Sequence, residues 1–353
     1  MIRIKPYTDL PEHEEIKQLY LKLVARALPF REDDMAGDKS LFPAGLFNGE
    51  KSRKGSPPSP KESRECIKEY SKTLYNYLFD SSEKLKRESL HKLLFSPMDK
   101  PSLERNALDE IAVAKDKNER IPIQQVFSYD RFSSSAQFHR FVQMLGVNVC
   151  PYCNRSFTTT IAGKKSKKTR PELDHYRSKS NYPFFALSIM NLVPSCGTCN
   201  KLKSYREDRV LYPYTEGMGS RYRFKTSPKE NGSVLYVAGV KEEFNLKLAP
   251  VGKEDEHTEA AKASIKVFGL EELYEEAHRD FVSDMFFQRY VFTDQLLDEL
   301  CNQFSGLFES KEELKRILYL RGIREEEWGE RPLSKLVHDI DLEITELYSH
   351  EKE

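Results

Sequence analysis

The sequence predicts an α+β fold: a mostly helical protein around a small, cysteine-stapled centre containing short strands. Helical periodicity runs through both ends of the chain and is lost between about residues 149 and 205, where two Cys-x-x-Cys pairs stand. Charge is segregated in the same way. The 353 residues carry 56 Lys+Arg and 56 Asp+Glu, a formal net charge of zero. Residues 150–225 hold 15 Lys/Arg against 5 Asp/Glu (net +10), residues 241–353 hold 15 against 28 (net −13), and residues 1–149 hold 25 against 22. Taken whole, the zero average excludes an obviously basic nucleic-acid coat protein and an acidic disordered tail. Its segregation points to an anionic ligand or a charged partner.

The elements follow in chain order. Ile16, Leu19, Tyr20, Leu23, Val24, Ala27 and Leu28 fall at i, i+3, i+4, i+7, i+8, i+11 and i+12, with Pro11 ahead, which predicts an amphipathic helix. Residues 31–60 lose all periodicity, contain Gly37, Gly45, Gly49 and Gly55 and end on SPPSP, so they read as a loop or linker within a helical region 1–148. Helical spacing returns at Ile67, Tyr70, Leu74, Tyr77 and Leu78, and again from Ser134 to Leu145. Short strands, turns and cysteine knuckles fill a central region 149–215. RYRFKTSPKENGSVLYVAGV then reads as two strands around a Pro/Asn/Gly turn. From about Glu259 the chain is helical, with stripes Leu270, Leu273, Ala277, Phe281, Met285 and Leu333, Leu336, Val337, Ile340, Ile344, Leu347; these are packing faces of an acidic region 216–353. Length corresponds to roughly two or three domains, and 39% hydrophobic with 11% aromatic residues can supply their cores. No apolar run reaches the roughly 18 residues of a membrane span, and MIRIKPYTDL lacks a signal-peptide core. The expectation is a cytoplasmic protein without membrane contact, where disulfides seldom persist.

Cys150-Pro-Tyr-Cys153 and Cys196-Gly-Thr-Cys199 each place two thiols across a tight turn. Two such knuckles supply four thiolates to one tetrahedral Zn²⁺, a closed structural site with no open position for chemistry. A single pair could be a redox motif, but two in one cytosolic chain favour zinc. Cys66 and Cys301 have no such company and read as buried thiols.

Between the knuckles lies Glu172-Leu-Asp174-His175, followed by Asn191 and Asn200. Phosphodiester hydrolysis needs a metal to stabilise the departing oxygen and a base to take the proton of the attacking water. Asp174 and Asn200 can give oxygen ligands to Mg²⁺ or Mn²⁺. His175, neutral at pH 7, can be the base. Asn191 can hold the loop that carries His175 by hydrogen bonding to its backbone. The other histidines have no comparable surroundings and read as ordinary surface or core groups.

The string CPYC…LDHYRSKSNYP…NLVPSCGTCNKLK, over about residues 149–205, resembles the HNH (ββα-metal, His-Me finger) endonuclease motif in its subtype with paired zinc knuckles. The resemblance implies a zinc-stapled ββα-metal core. Asp174 would bind the catalytic Mg²⁺ or Mn²⁺, His175 would act as general base, Asn191 would fix the loop, and Asn200 would complete the metal site in place of a more usual His. Within the family the segment is most similar to the HNH subunits of Septu-type bacterial anti-phage systems, which work with an ABC-like ATPase. That implies an ATPase partner and a nucleic-acid substrate, DNA ahead of RNA.

Lys164, Lys165, Lys167, Lys168 and Arg170 fall in AGKKSKKTR, between expected strands near Phe157–Ile161 and Glu172–Asp174. A charge run is usually a solvated tip. Beside an Asp-His pair it reads as a grip on the phosphate backbone, together with Arg177, Lys179, Lys201 and Lys203. Trp328 is either an interface anchor or a packed indole. A non-catalytic zinc-ribbon module that binds nucleic acid or protein would explain the cysteines and the basic run. Only an endonuclease also needs Asp174, His175 and both asparagines.

Overall fold

A computed structural model describes residues 1–49, 57–99, 121–161, 169–204, 206, 208–230, 234–239, 243–253 and 255–349. The fold is α+β, mostly helical, with three two-stranded sheets among the described residues. No helix among them is long and apolar enough to cross a membrane. The chain divides into two compact units, one of Met1–Ile4, Asn148–Thr158 and Asp208–Glu353, the other of Lys5–Val147 and Thr159–Glu207.

In the second of these, the helix His13–Ala27 buries Ile16, Leu19, Tyr20, Leu23, Val24 and Ala27, the stripe that its periodicity marks. Tyr20 is the hub of an aromatic core, meeting Phe95, Phe132 and Phe141 at 5.5, 5.9 and 5.8 Å. The stretch after Arg31 is not featureless. Short 3₁₀ turns flank Met35–Ala36, which pairs in parallel with Leu85–Lys86. The apolar spacing from Ile67 to Leu78 runs through two helices, Pro60–Tyr70 and Lys72–Leu78. Ser71 breaks them, because its extended backbone and its hydroxyl, which accepts from Leu74 N, cap the second. Then come the helices Arg87–Phe95, Ile121–Val126, Tyr129–Ser133 and Phe138–Met144. Glu172–His175 pairs antiparallel with Leu192–Ser195, Asp174 opposite Val193, and the helix Gly197–Lys203 follows at once and packs on the first strand.

In the first unit, Tyr222–Pro228 pairs antiparallel with Phe244–Pro250. The expected second strand within SVLYVAGV is instead a 3₁₀ turn, Leu235–Ala238, ended by Gly239 at φ 77°. Two strands alone leave two open edges, and carboxylates from the flanking helices satisfy them. Asp339 accepts from Phe224 N (2.9 Å), Glu343 from Thr226 N (3.1 Å) and Glu271 from Leu248 N (3.3 Å). The helix Leu270–Val291 buries Leu270, Tyr274, Val282, Met285 and Phe286. Of the expected stripe, Leu270 and Met285 are buried, whereas Leu273 and Phe281 are half-buried and Ala277 is exposed, because Tyr274 packs at 4.4 Å on Phe224 of the ribbon and turns its side of the helix inward.

The helix Ser334–Ser349 buries Leu336, Val337, Ile340 and Ile344, while Leu347 is 38% exposed. Lys335, 1% exposed, donates to Gly219 O (2.9 Å), Tyr222 O (2.8 Å) and Asp339 Oδ2 (2.8 Å). Lys335→Met is expected to cost about 3–5 kcal/mol, because it leaves the Asp339 carboxylate buried without its cation. Urea denaturation reads this directly. Trp328 is packed, with Lys335 Nζ 4.8 Å from its ring and Asn154 Nδ2 donating to its carbonyl at 2.8 Å. Cys66 and Cys301, expected buried, are only half-buried.

Candidate functional site

The four sulfurs of Cys150, Cys153, Cys196 and Cys199 lie within 4.8 Å of one another, close enough to hold one metal ion. All but Cys196 are buried. Four thiolates around a Zn²⁺ at about 2.3 Å stand about 3.8 Å apart, so the donor set and spacing are consistent with structural zinc. Local geometry prepares the sulfurs as acceptors. Arg155 N donates to Cys153 Sγ at 3.4 Å and Cys199 N to Cys196 Sγ at 3.5 Å. Asn154 takes φ 52°, a left-handed conformation that asparagine tolerates, and its N donates to Cys150 O at 2.8 Å, closing the first knuckle. Tyr152 stacks on Phe268 at 4.6 Å, and Tyr274 Oη donates to Cys153 O at 2.7 Å.

Asp174, His175, Asn200, Lys179, Lys201 and Arg170 line one cleft of about 510 Å³, with Tyr129, Glu172, Ser178 and Ser180. Asp174 is 2% and His175 8% exposed. Successive strand residues face opposite ways, but His175 is the last residue of its strand, and both it and Asp174 line the cleft. Its Nε2 lies 3.1 Å from Ala186 O. A carbonyl only accepts, so Nε2 carries the proton and Nδ1 keeps the lone pair. Burial, then Lys179, push this imidazole down to about 3, so it is neutral at pH 7.

Asn191, fully buried, clamps the turn after His175. Its Oδ1 accepts from Arg177 N (2.7 Å), and its Nδ2 donates to Arg177 O (3.0 Å) and Phe185 O (3.1 Å). An aspartate could keep only the first of these bonds, an alanine none. Asn191→Ala is expected to destabilise the protein by about 2–3 kcal/mol, since three backbone groups lose their partner, and chemical denaturation measures it.

Three placements differ from a simple reading of residue types. Lys203 is 2% exposed and is not a surface cation: its ammonium lies 3.1 Å from Asp174 Oδ2 and donates to His175 O at 2.8 Å. The short, buried pairing removes it from any phosphate contact in this conformation. Asn200 Nδ2 donates to the Glu172 carboxylate, not to Asp174. Arg177 sits with its guanidinium 5.5 Å over the Tyr182 ring and is not among the cleft residues. Lys164, Lys165, Lys167 and Lys168 lie outside the described residues. Glu172, although part of the expected strand, has no role in the reading from sequence. Alternation along a strand was the available signal, since residues i and i+2 share a face. Tyr129, 45 residues before Asp174, carried none.

Compared with protein-family models, with curated proteins and with solved structures, the chain gives no match.

Proposed function

We propose that the chain is a metal-dependent endonuclease of the HNH type that hydrolyses nucleic-acid phosphodiester bonds. The observation that carries this reading is the joint placement of Asp174 and His175 in one cleft, with His175 held neutral and its Nδ1 making no hydrogen bond among the described residues. The strand–strand–helix order around them and the Asn191 clamp support it.

The reaction asks three things of these residues. His175 Nδ1 accepts the proton of the attacking water, which leaves hydroxide to form the new P–O bond while the departing oxygen breaks away. Burial opposes the imidazolium, and the negative phosphodiester beside it offsets that cost. Arg170, Lys179 and Lys201 offer positive charge to the backbone without reading bases. The oxygen donors Asp174, Asn200 and Glu172 fit Mg²⁺ or Mn²⁺, which when bound would stabilise charge on the leaving oxygen. The four cysteines would hold structural Zn²⁺.

One observation favours the second reading, a non-catalytic zinc module: the Asp174 carboxylate is already compensated by Lys203. The two readings part on one measurement. Full-length protein is incubated with Mg²⁺ or Mn²⁺ and with plasmid, single-stranded DNA or RNA. Metal-dependent cleavage supports the nuclease; binding without cleavage of any of them supports the module.

We further propose DNA ahead of RNA as substrate, a role as effector nuclease of bacterial anti-phage defence, and an ABC-like ATPase as partner. The sequence has no nucleotide-binding loop, and its acidic C-terminal region is a surface for a partner and not for nucleic acid. Co-purification of an ATPase with the tagged chain from its host tests the partnership.

A further inference from the structure

We propose that Tyr129 is the positioning residue that fixes the His175 imidazole and the Lys179 ammonium in the cleft, a role that rests on the endonuclease reading of that cleft. Tyr129 belongs to the N-terminal helical region, outside the 149–205 motif. It opens the short helix Tyr129–Ser133, which Ser128 caps by accepting from Arg131 N. Its ring is held from behind by Phe132 at 6.0 Å and, edge-on at 87°, by Phe138 at 6.3 Å.

The ring does two things on its cleft side. It meets the His175 ring at 4.6 Å and 77°, an edge-to-face contact. The Nε2–H bond to Ala186 O fixes one point of the imidazole and still permits rotation about that bond's axis. A second contact on the ring's flank removes the rotation and so sets where Nδ1 points. Lys179 Nζ lies 5.0 Å from the Tyr129 centroid, a cation–π contact. Lys179 is exposed and makes no ion pair among the described residues, so the tyrosine ring is what places its charge. The same device recurs next door, where the Arg170 guanidinium stands 5.0 Å over the Phe138 ring that Tyr129 touches. The Tyr129 hydroxyl makes no hydrogen bond among the described residues, so the ring carries the role.

The test uses the full-length chain as wild type, Tyr129→Phe, Tyr129→Leu and Tyr129→Ala, with Mg²⁺ on plasmid DNA. Tyr129→Phe is expected to keep wild-type kcat. Leu and Ala are expected to lower kcat about tenfold, the scale of one lost aromatic contact. In DNA binding they are expected to reduce the slope of log affinity against log salt by about 0.9, one phosphate contact, the same change expected of Lys179→Ala. In ¹⁵N-histidine spectra the His175 ring signal moves in Leu and Ala and stays put in Phe. Leucine keeps the apolar volume and stands in if the alanine variant does not fold. Wild-type kcat and slope in the leucine variant would overturn the proposal, as would a Phe variant as impaired as Leu, which would assign the role to the hydroxyl. Absence of cleavage by the wild-type protein counts against the nuclease reading instead. The His175 signal then decides the ring contact alone, and no movement in Leu overturns it.

Discussion

His175→Ala is expected to lower metal-dependent cleavage by about 10²- to 10⁴-fold, the usual contribution of a positioned general base. The size of the effect follows from the tautomer. With Nε2–H committed to Ala186 O, Nδ1 is the lone pair that the imidazole has left to offer. Alanine also removes the edge-to-face contact with Tyr129, so a companion variant is needed. His175→Gln keeps an N–H that reaches the Nε2 position and can donate to Ala186 O, and it has no basic nitrogen. A folded His175→Gln protein that cuts plasmid at the wild-type rate would exclude His175 as the base. Unaltered circular dichroism and thermal midpoint in that variant locate the defect in chemistry. Nucleic-acid binding at moderate salt should persist, because the proposed backbone contacts are the cleft cations Arg170, Lys179 and Lys201 and not the imidazole.

Loss of the four-sulfur site is expected to act on the fold. Apparent binding free energies of structural zinc are about 10–16 kcal/mol at neutral pH, and where ion and fold are coupled much of that is folding free energy. Cys150→Ser and Cys196→Ser are each expected to reduce bound zinc from one ion per chain to none. Each should lower the thermal midpoint by about 10 °C, the shift for a loss of several kcal/mol in a chain of this size. Elemental analysis and differential scanning calorimetry measure both. Prolonged dialysis against a strong chelator should reproduce the loss in wild-type protein. Cys66→Ser and Cys301→Ser serve as controls, since both side chains are half-buried and outside the cluster. A Cys150→Ser protein that retains its zinc and its midpoint would show that these sulfurs are not the ligands.

What was legible in the sequence follows a physical line. The helix His13–Ala27 could be read because burial of one face imposes a 3.6-residue period that survives any tertiary detail. The four cysteines could be read because their pairing depends on local turns of fixed length. The contacts of Asp174 and Asn200 could not, because they depend on partners 29 and 28 residues away in the chain. Lys203 has the composition of a phosphate contact, yet the helix Gly197–Lys203 folds back on the strand and buries its ammonium against Asp174. The face of Leu270–Val291 was misread for a related reason. Leu273 and Phe281 are as apolar as the residues that replaced them, and only the ribbon beneath the helix, through Phe224 and Tyr274, selects between faces. The partner of Tyr222–Pro228 lies sixteen residues on, past a 3₁₀ turn, where a nearer strand satisfied local propensity equally well.

The buried hydroxyl of Tyr20 has a bearing on how portable the cleft is. It donates to Leu187 O at 2.5 Å and accepts from Ile189 N at 3.1 Å, while Ser188 Oγ donates to Leu94 O at 3.2 Å. The connection leading to Asn191 is thereby threaded into helices His13–Ala27 and Arg87–Phe95. A minimal fragment or a graft of the Asp-His hairpin onto another scaffold would carry the chemistry-bearing letters but leave Leu187 and Ile189 without the tyrosine that seats them. Engineering or truncation must therefore take the helices as part of the cartridge, and substitutions at Tyr20, 155 residues before His175 in sequence, belong among those that can silence it.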